Sequence, residues 1–264
     1  MRKESIFLTL FVIRLLCSCG PTDEDRARVR MNFVQQLLQQ HDTLNALAHL
    51  DSIPRLYPKA VYSANAAQNL RNEIVYQLLK QKISALEVTE KSIPQLSSVF
   101  EAEKTEFDRY SQYTHKRQRT DNSWDRSFLR VNLDERGEIS LTSYYFGNQW
   151  LDHTAIRVYD QGDAAKTTEV ALGSVDNHHS GFMETKLEKV TYRGEKNLEV
   201  IQFIASNTGR RLKAAFIGKR NYYIVLEEFD KSAFRDAILL SEALKKKTTL
   251  EKEIKALQKS LNLQ

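Results

Sequence analysis

The stretch Leu129-Arg130-Val131-Asn132-Leu133-Asp134-Glu135-Arg136-Gly137-Glu138-Ile139-Ser140-Leu141-Thr142 decides the fold class. Leu129, Val131 and Leu133 alternate with Arg130 and Asn132. After the turn residues Asp134 to Gly137, Ile139 and Leu141 alternate with Ser140 and Thr142. A period of two marks a strand with one buried face, and two such runs around a Gly-containing turn read as a hairpin.

The same signal continues toward the C-terminus. Ile156 and Val158 flank Arg157, Val170 and Leu172 follow Thr168, and Val190 and Tyr192 alternate with Lys189 and Thr191. Leu198–Ala205, Leu212–Ile217 and Tyr222–Leu226 bring the expected strands to about eight. Gly137, Gly147, Gly162, Gly173, Gly181, Gly194, Gly209 and Gly218 punctuate them, as in an antiparallel meander. No proline follows Pro94, so no strand loses a donor. Leu198–Ala205 and Leu212–Ile217 are apolar on both faces and need a cover, either a helix or the other half of a curled sheet.

Upstream the period lengthens. Val34, Leu37, His41, Leu44 and Ala48 follow a heptad spacing with a polar His in one slot. Ser52-Ile53-Pro54 and Tyr57-Pro58 break that helix. Ala60, Ala64, Ala67, Ile74 and Leu78 line a second one. Ser92-Ile93-Pro94 is expected to end or kink it, and Gln95 to about Tyr113, with Leu96, Phe100 and Phe107, reads as a third helical segment. His115 to Thr120 reads as a linker. Downstream, Leu240, Ala243, Leu250, Ile254, Leu257 and Leu261 form another helical seam, with Lys247 in one slot.

The expected fold is therefore α+β. N-terminal helices and a C-terminal helix form a coiled-coil-like bundle that flanks an antiparallel β-meander. The expected spans are 1–19 for a signal peptide, 20–122 helical, 123–228 meander and 229–264 terminal helix. That helix is expected to pair with the N-terminal helices, and homodimerisation through it is the rival arrangement.

The N-terminus reads as an address. Arg2 and Lys3 precede an apolar run, Ile6 to Leu16, that is far short of the ~20 residues of a transmembrane helix. It ends in Leu16-Cys17-Ser18-Cys19-Gly20, which resembles the lipobox of bacterial lipoproteins. That resemblance makes Cys19 the lipidated residue and the mature N-terminus, with Cys17 leaving in the signal peptide. Several acyl chains on one residue give stable anchoring, whereas one chain binds only marginally. The plainer alternative is a signal peptide cleaved nearby. Asp23-Glu24-Asp25 resembles the surface-export signal of Bacteroidetes lipoproteins. The same acids also suit a helix N-terminus.

Cys17 and Cys19 are the only cysteines among 264 residues. Disulfide frameworks, zinc ribbons and thiol catalysis in the body are thereby excluded. The closest glycines, Gly173 and Gly181, lie eight residues apart, so GxGxxG, GxxxxGK and GxSxG are absent. No His begins an HExxH. The net charge of +5 falls to +3 once residues 1–19 are removed, with eight basic against five acidic residues after position 228. Lys245-Lys246-Lys247 suits the solvated face of a coiled coil or contact with anionic headgroups. Nucleic acid is not an expected partner of an exported chain.

Three clusters have residue types that can carry chemistry. Asp176-Asn177-His178-His179-Ser180 offers two His that, with Asp152 or His153, have the ligand types of a transition-metal site. Adjacent His in a strand point to opposite faces, and a hairpin tip explains the segment, so no metal is expected. Tyr144, Tyr145, Phe146 and Trp150, with Tyr222 and Tyr223, suit an aromatic face for sugar rings or ordinary cross-strand packing. Tyr144, Tyr145 and Trp150 are the candidate ligand-binding residues. Asp152, Asp160 and Glu169 are candidates for the paired carboxylates of a hydrolase, which need no motif.

The order of lipobox, helical hairpin, Trp124-Asp125-Arg126-Ser127-Phe128-Leu129-Arg130-Val131, turn Asp134–Gly137 and Ser143-Tyr144-Tyr145-Phe146-Gly147 resembles an uncharacterised family of Bacteroidetes outer-membrane lipoproteins. The resemblance implies a strand-rich middle between coiled-coil helices and carries no catalytic residue. The expectation is a lipid-anchored outer-membrane protein, on the periplasmic face or the cell surface. It would act without cofactor as a binding or structural module for an envelope protein or glycan. The alternatives are a glycan- or lipid-binding module and a hydrolase.

Overall fold

A computed structural model describes residues 20–106, 109–119, 126–182 and 184–262. Cys17, Cys19, Phe107, Trp124 and Asp125 lie outside the described residues. Among the described residues the fold is α+β, with five α-helices and ten strands in two antiparallel sheets. The chain divides into two compact units, residues 1–83 with 253–264 and residues 84–252.

The first unit is helical. Helix α1 (Asp23–Gln39) and helix α2 (Thr43–Leu56) form a hairpin, and helix α3 begins at Val61. Thr22 and Asp25 form a reciprocal capping box at the start of α1. The heptad expected to run on to Ala48 stops at Gln39. His41 turns left-handed (φ 60°) and Asp42 caps α2 by accepting the Asn45 N–H. Leu44 is consequently 80% exposed, and the buried positions shift to Ala46, Leu50 and Ile53. These pack with Ala27, Val34, Leu37, Ala60 and Ala67. Pro54 does not break α2, because it costs one backbone hydrogen bond near the helix end while Leu50 and Ile53 bury their side chains.

Pro94 is tolerated for the same reason. Helix α3 runs from Val61 to Ser97, and Ile93 and Leu96 pack on the core of the second unit. Gln95–Tyr113 is therefore not a third helix. It supplies strands β1 (Phe100–Glu103) and β2 (Gln112–His115), so the sheet starts well before residue 123. The expected linker is structural too. Gln118 is fully buried; its amide donates to the Leu129 carbonyl and the Asp230 carboxylate and accepts from the Val131 N–H.

The remaining strands are β3 (Phe128–Asp134), β4 (Ile139–Gly147), β5 (Ala155–Tyr159), β6 (Ala164–Lys166), β7 (Asn177–Phe182), β8 (Thr185–Tyr192), β9 (Lys213–Ile217) and β10 (Tyr222–Val225). One sheet has the order β1-β2-β3-β4-β8-β7 and the other β10-β9-β5-β6. The β3–β4 hairpin is closed by Asp134, whose carboxylate accepts the Arg136 and Glu138 N–H groups, and by Gly137 at φ 83°.

Leu198–Ala205 is the main correction. It is helix α4 (Leu198–Ser206), with Val200, Ile201 and Ile204 buried. The run is not apolar on both faces: Glu199 and Gln202, three residues apart, are exposed, as on the outer side of a helix. Here Val200, Ile201 and Ile204 mark one helical face, and α4 itself covers β4, β5 and β6. Val170 and Leu172 form no strand, and Asn177–Ser180 is strand rather than hairpin tip.

Helix α5 (Glu228–Ser260) contributes to both units. In the second, Phe234, Ala237 and Leu240 are fully buried among β-sheet residues and α4. Arg126 anchors its first turn by two hydrogen bonds to Asp230, at 2.8 and 3.2 Å. Antiparallel pairing of α5 with α3 is marked by Lys247–Glu90 at 3.0 Å in the second unit and Lys82–Glu253 at 2.7 Å in the first. The Lys in the seam slot thus ends on a carboxylate of the facing helix.

Candidate functional site

The polar centre of the second unit forms where strand parity puts charge on the apolar side. In β8 the buried positions include Glu188, Val190 and Tyr192, alternate residues on one face. Opposite them on β4 stand Tyr145, Ser143 and Leu141, and opposite Glu188 on β7 stands His179. Glu188 is therefore a carboxylate facing the core.

Its partners come from the connection between β4 and β5, which carries the chain from one sheet to the other. Glu188 Oε1 accepts the Leu151 N–H at 2.6 Å and the Asp152 N–H at 2.9 Å. Its Oε2 accepts the His153 N–H at 3.0 Å and binds His153 Nδ1 at 2.5 Å. Asp152 is left-handed (φ 53°), and three successive N–H groups converge on one anion. Burial alone would raise the Glu188 carboxyl, and it is the largest single influence. The hydrogen bonds from the His153 ring and from the His153 and Asp152 backbones together outweigh it and hold the pKa at about 2.

The far side of the His153 ring completes a chain. Nε2 lies 2.7 Å from Ser143 Oγ, and Ser143, His153 and Glu188 all have fully buried side chains. Phe216 packs edge-on against the imidazole at 5.2 Å. Asn177 ties the same segment down by donating to the His153 and Val170 carbonyls, and Gly218 passes it so closely that a Cβ would lie 2.4 Å from the Leu151 oxygen. In order and spacing this is a Ser–His–acid relay of the kind that activates a nucleophile. It lacks the other requirement, a reacting hydroxyl that substrate can reach.

At the rim, His179 lies 3.7 Å from Asp152 and 3.9 Å from Glu188, and its ring stacks on Trp150 at 5.0 Å. Lys219 pairs with Asp152 at 2.8 Å, and Lys186 sits over the Trp150 ring. Asp152, His179 and Glu188 offer ligand atoms within 4.8 Å of one another. The donor set fits a metal poorly. Each carboxylate oxygen of Glu188 already accepts two hydrogen bonds, and Asp152 already has a cation.

The sequence-derived candidates separate. Tyr144 and Tyr145 are 5% and 4% exposed, so they present no open aromatic face. Tyr144 stacks flat on Phe128 at 4.8 Å with Arg130 over its ring. Tyr145 packs on Tyr222 and donates its hydroxyl to the Gln149 carbonyl. Trp150 remains at the surface, 37% exposed. Asp160 pairs with Arg210 and Glu169 with Lys166, while Asp152 meets Glu188. Glu188 is not suited to be the general acid of that last pair. That role needs a raised pKa and access, and Glu188 has a lowered pKa and no exposure. Cys19 lies outside the described residues.

Among the described residues, no helix is long and apolar enough to cross a membrane. Compared with protein-family models, curated proteins and solved structures, the chain matches none.

Proposed function

We propose that this is a lipid-anchored envelope protein, of the kind found in the Bacteroidetes outer membrane, working as a non-catalytic binding or structural module. The observation that carries the non-catalytic part is the sealing of Ser143, His153 and Glu188. The relay that could activate a hydroxyl is spent on fixing the β4–β5 crossover, with all three side chains buried. The anchoring part rests on Leu16-Cys17-Ser18-Cys19 and on an apolar run too short to span a bilayer.

Asp23, Glu24 and Asp25 have structural work whether or not they also direct export. Asp25 caps its own helix, while Asp23 and Glu24 accept the Lys59 and Ser63 N–H groups at the start of α3. A partner would be an envelope protein or glycan met by the exposed surface, where Trp150 is the surviving aromatic candidate.

In-cell photocrosslinking from the Trp150 rim, followed by identification of what is trapped, tests the reading. A discrete envelope partner, captured equally by wild type and by Ser143→Ala, supports it. A hydrolytic activity of the purified protein that disappears in Ser143→Ala refutes it.

A further inference from the structure

The end of the helical unit nearest Cys19 has an unusual surface. Gly20, Pro21 and Thr22 alone separate Cys19 from the first residue of α1, so Cys19 lies within ~15 Å of Asp23 whatever path the chain takes. The start of α3 sits at that same end, because Asp23 accepts the Lys59 N–H and Glu24 accepts both the N–H and the hydroxyl of Ser63. The last residue of α2, Leu56, is joined to the same place through Tyr57-Pro58.

Three large apolar side chains stand out there. Leu56 is 49% exposed, Val61 66% and Tyr62 81%, within seven residues of sequence, with exposed Arg55 and Lys59 among them. Single exposed apolar residues are ordinary. Two aliphatic side chains, a Tyr and two basic residues exposed together at one end have the composition of a membrane interface. The nearby acids do not oppose this. Asp23 and Glu24 direct their carboxylates to the α3 start, and Asp25 directs its own to Thr22.

We propose that Leu56, Val61 and Tyr62 form a membrane-resting face that seats the helical unit on the lipid surface beside its anchor. The proposal rests on lipidation of Cys19 and adds that the anchor is not a free tether. A few residues of connection hold this end at the headgroups, and the side chains found there dissolve in that layer. The contact adds a second attachment to that of the acyl chains.

The test uses the full lipidated protein. Its mature form has no free thiol once Cys17 is removed and Cys19 is acylated, so Tyr62→Cys carries a single bimane label. Leu44→Cys, also 80% exposed but ~25 Å away along the α1–α2 hairpin, is the control. Both are reconstituted into phosphatidylethanolamine–phosphatidylglycerol vesicles containing a doxyl lipid, and fatty-acid labelling of Cys19 is scored on the same samples. The expected result is an acylated protein in which the label at 62 loses most of its fluorescence and that at 44 keeps it. Acylated protein with both labels unquenched overturns the membrane-resting face alone. Absence of the fatty acid overturns the lipoprotein reading and this proposal with it.

Discussion

Glu188 and His153 meet at 2.5 Å with neither side chain exposed to solvent, and each belongs to a different structural layer. Glu188 projects from the six-stranded sheet, while His153 stands just before β5 of the four-stranded one. The pair fastens the crossover between the sheets. Replacing Glu188 by Gln puts an amide N–H where donors already point, leaving buried N–H groups without an acceptor. The expected loss is roughly 3 kcal/mol of unfolding free energy, read as a lower denaturation midpoint with an unchanged slope. A midpoint within error of wild type would show that the crossover does not depend on the carboxylate.

Acid should loosen the same fastening. The Glu188 carboxyl is depressed from 4.5 to about 2 on folding, so its stabilisation is complete above pH ~4.5 and disappears as pH falls toward 2. That depression corresponds to about 3 kcal/mol. Wild-type stability should fall between pH 4.5 and 2 more steeply than that of Glu188→Gln. Parallel pH curves for the two proteins would place the acid sensitivity elsewhere.

Gly218 gives a steric counterpart. A Cβ there would meet the Leu151 and Asp152 carbonyl oxygens at 2.4 and 2.6 Å, both backbone atoms that cannot swing away. Gly218→Ala should cost about 1–3 kcal/mol in a melt. Gly162→Ala, with open space around the new methyl, should cost far less. Equal effects would mean that the two chain segments are not held together as described.

The acidic triplet has a mechanical prediction separate from any role in export. Glu24→Gln weakens the bond to Ser63 at the start of α3 and should cost about 1 kcal/mol of stability in the purified protein. An unchanged melting curve would show that the Glu24–Ser63 contact does not stabilise the fold.

Truncation at Phe229 removes Phe234 and Leu240, each fully buried. Their loss takes away roughly 5–10 kcal/mol, comparable with a typical total of about 5–15. The truncated chain should lose its near-ultraviolet circular dichroism. A cooperative melt like that of the full protein would show that α5 is dispensable to the core.

Legibility in the sequence followed the physics of each element. The β3–β4 hairpin was readable because Leu129, Val131 and Leu133 repeat strictly, and Gly137 takes the turn with a positive φ. Leu198–Ala205 carried a period too, since Glu199 and Gln202 stand three apart and exposed opposite buried Val200, Ile201 and Ile204, but the many β-branched and aromatic residues in so short a run read equally as a strand. Pro94 misled for a related reason. Its local cost is fixed, while the burial of Ile93 and Leu96 that offsets it is tertiary. Glu188 carries one signal in the sequence: it shares strand parity with Val190 and Tyr192, and an acid on the apolar side of a strand must find donors. Its donors, Leu151 to His153, lie about 35 residues away and come to it only through the crossover.

The most direct measurement of the central claim is the mass and terminal sequence of the mature protein isolated from cell membranes. A chain beginning at Cys19 and heavier by a diacylglyceryl group and a further acyl chain, with the Cys19→Ala variant unacylated, is the predicted result. A mature chain that retains residues 1–18, or begins elsewhere without lipid, would contradict the account.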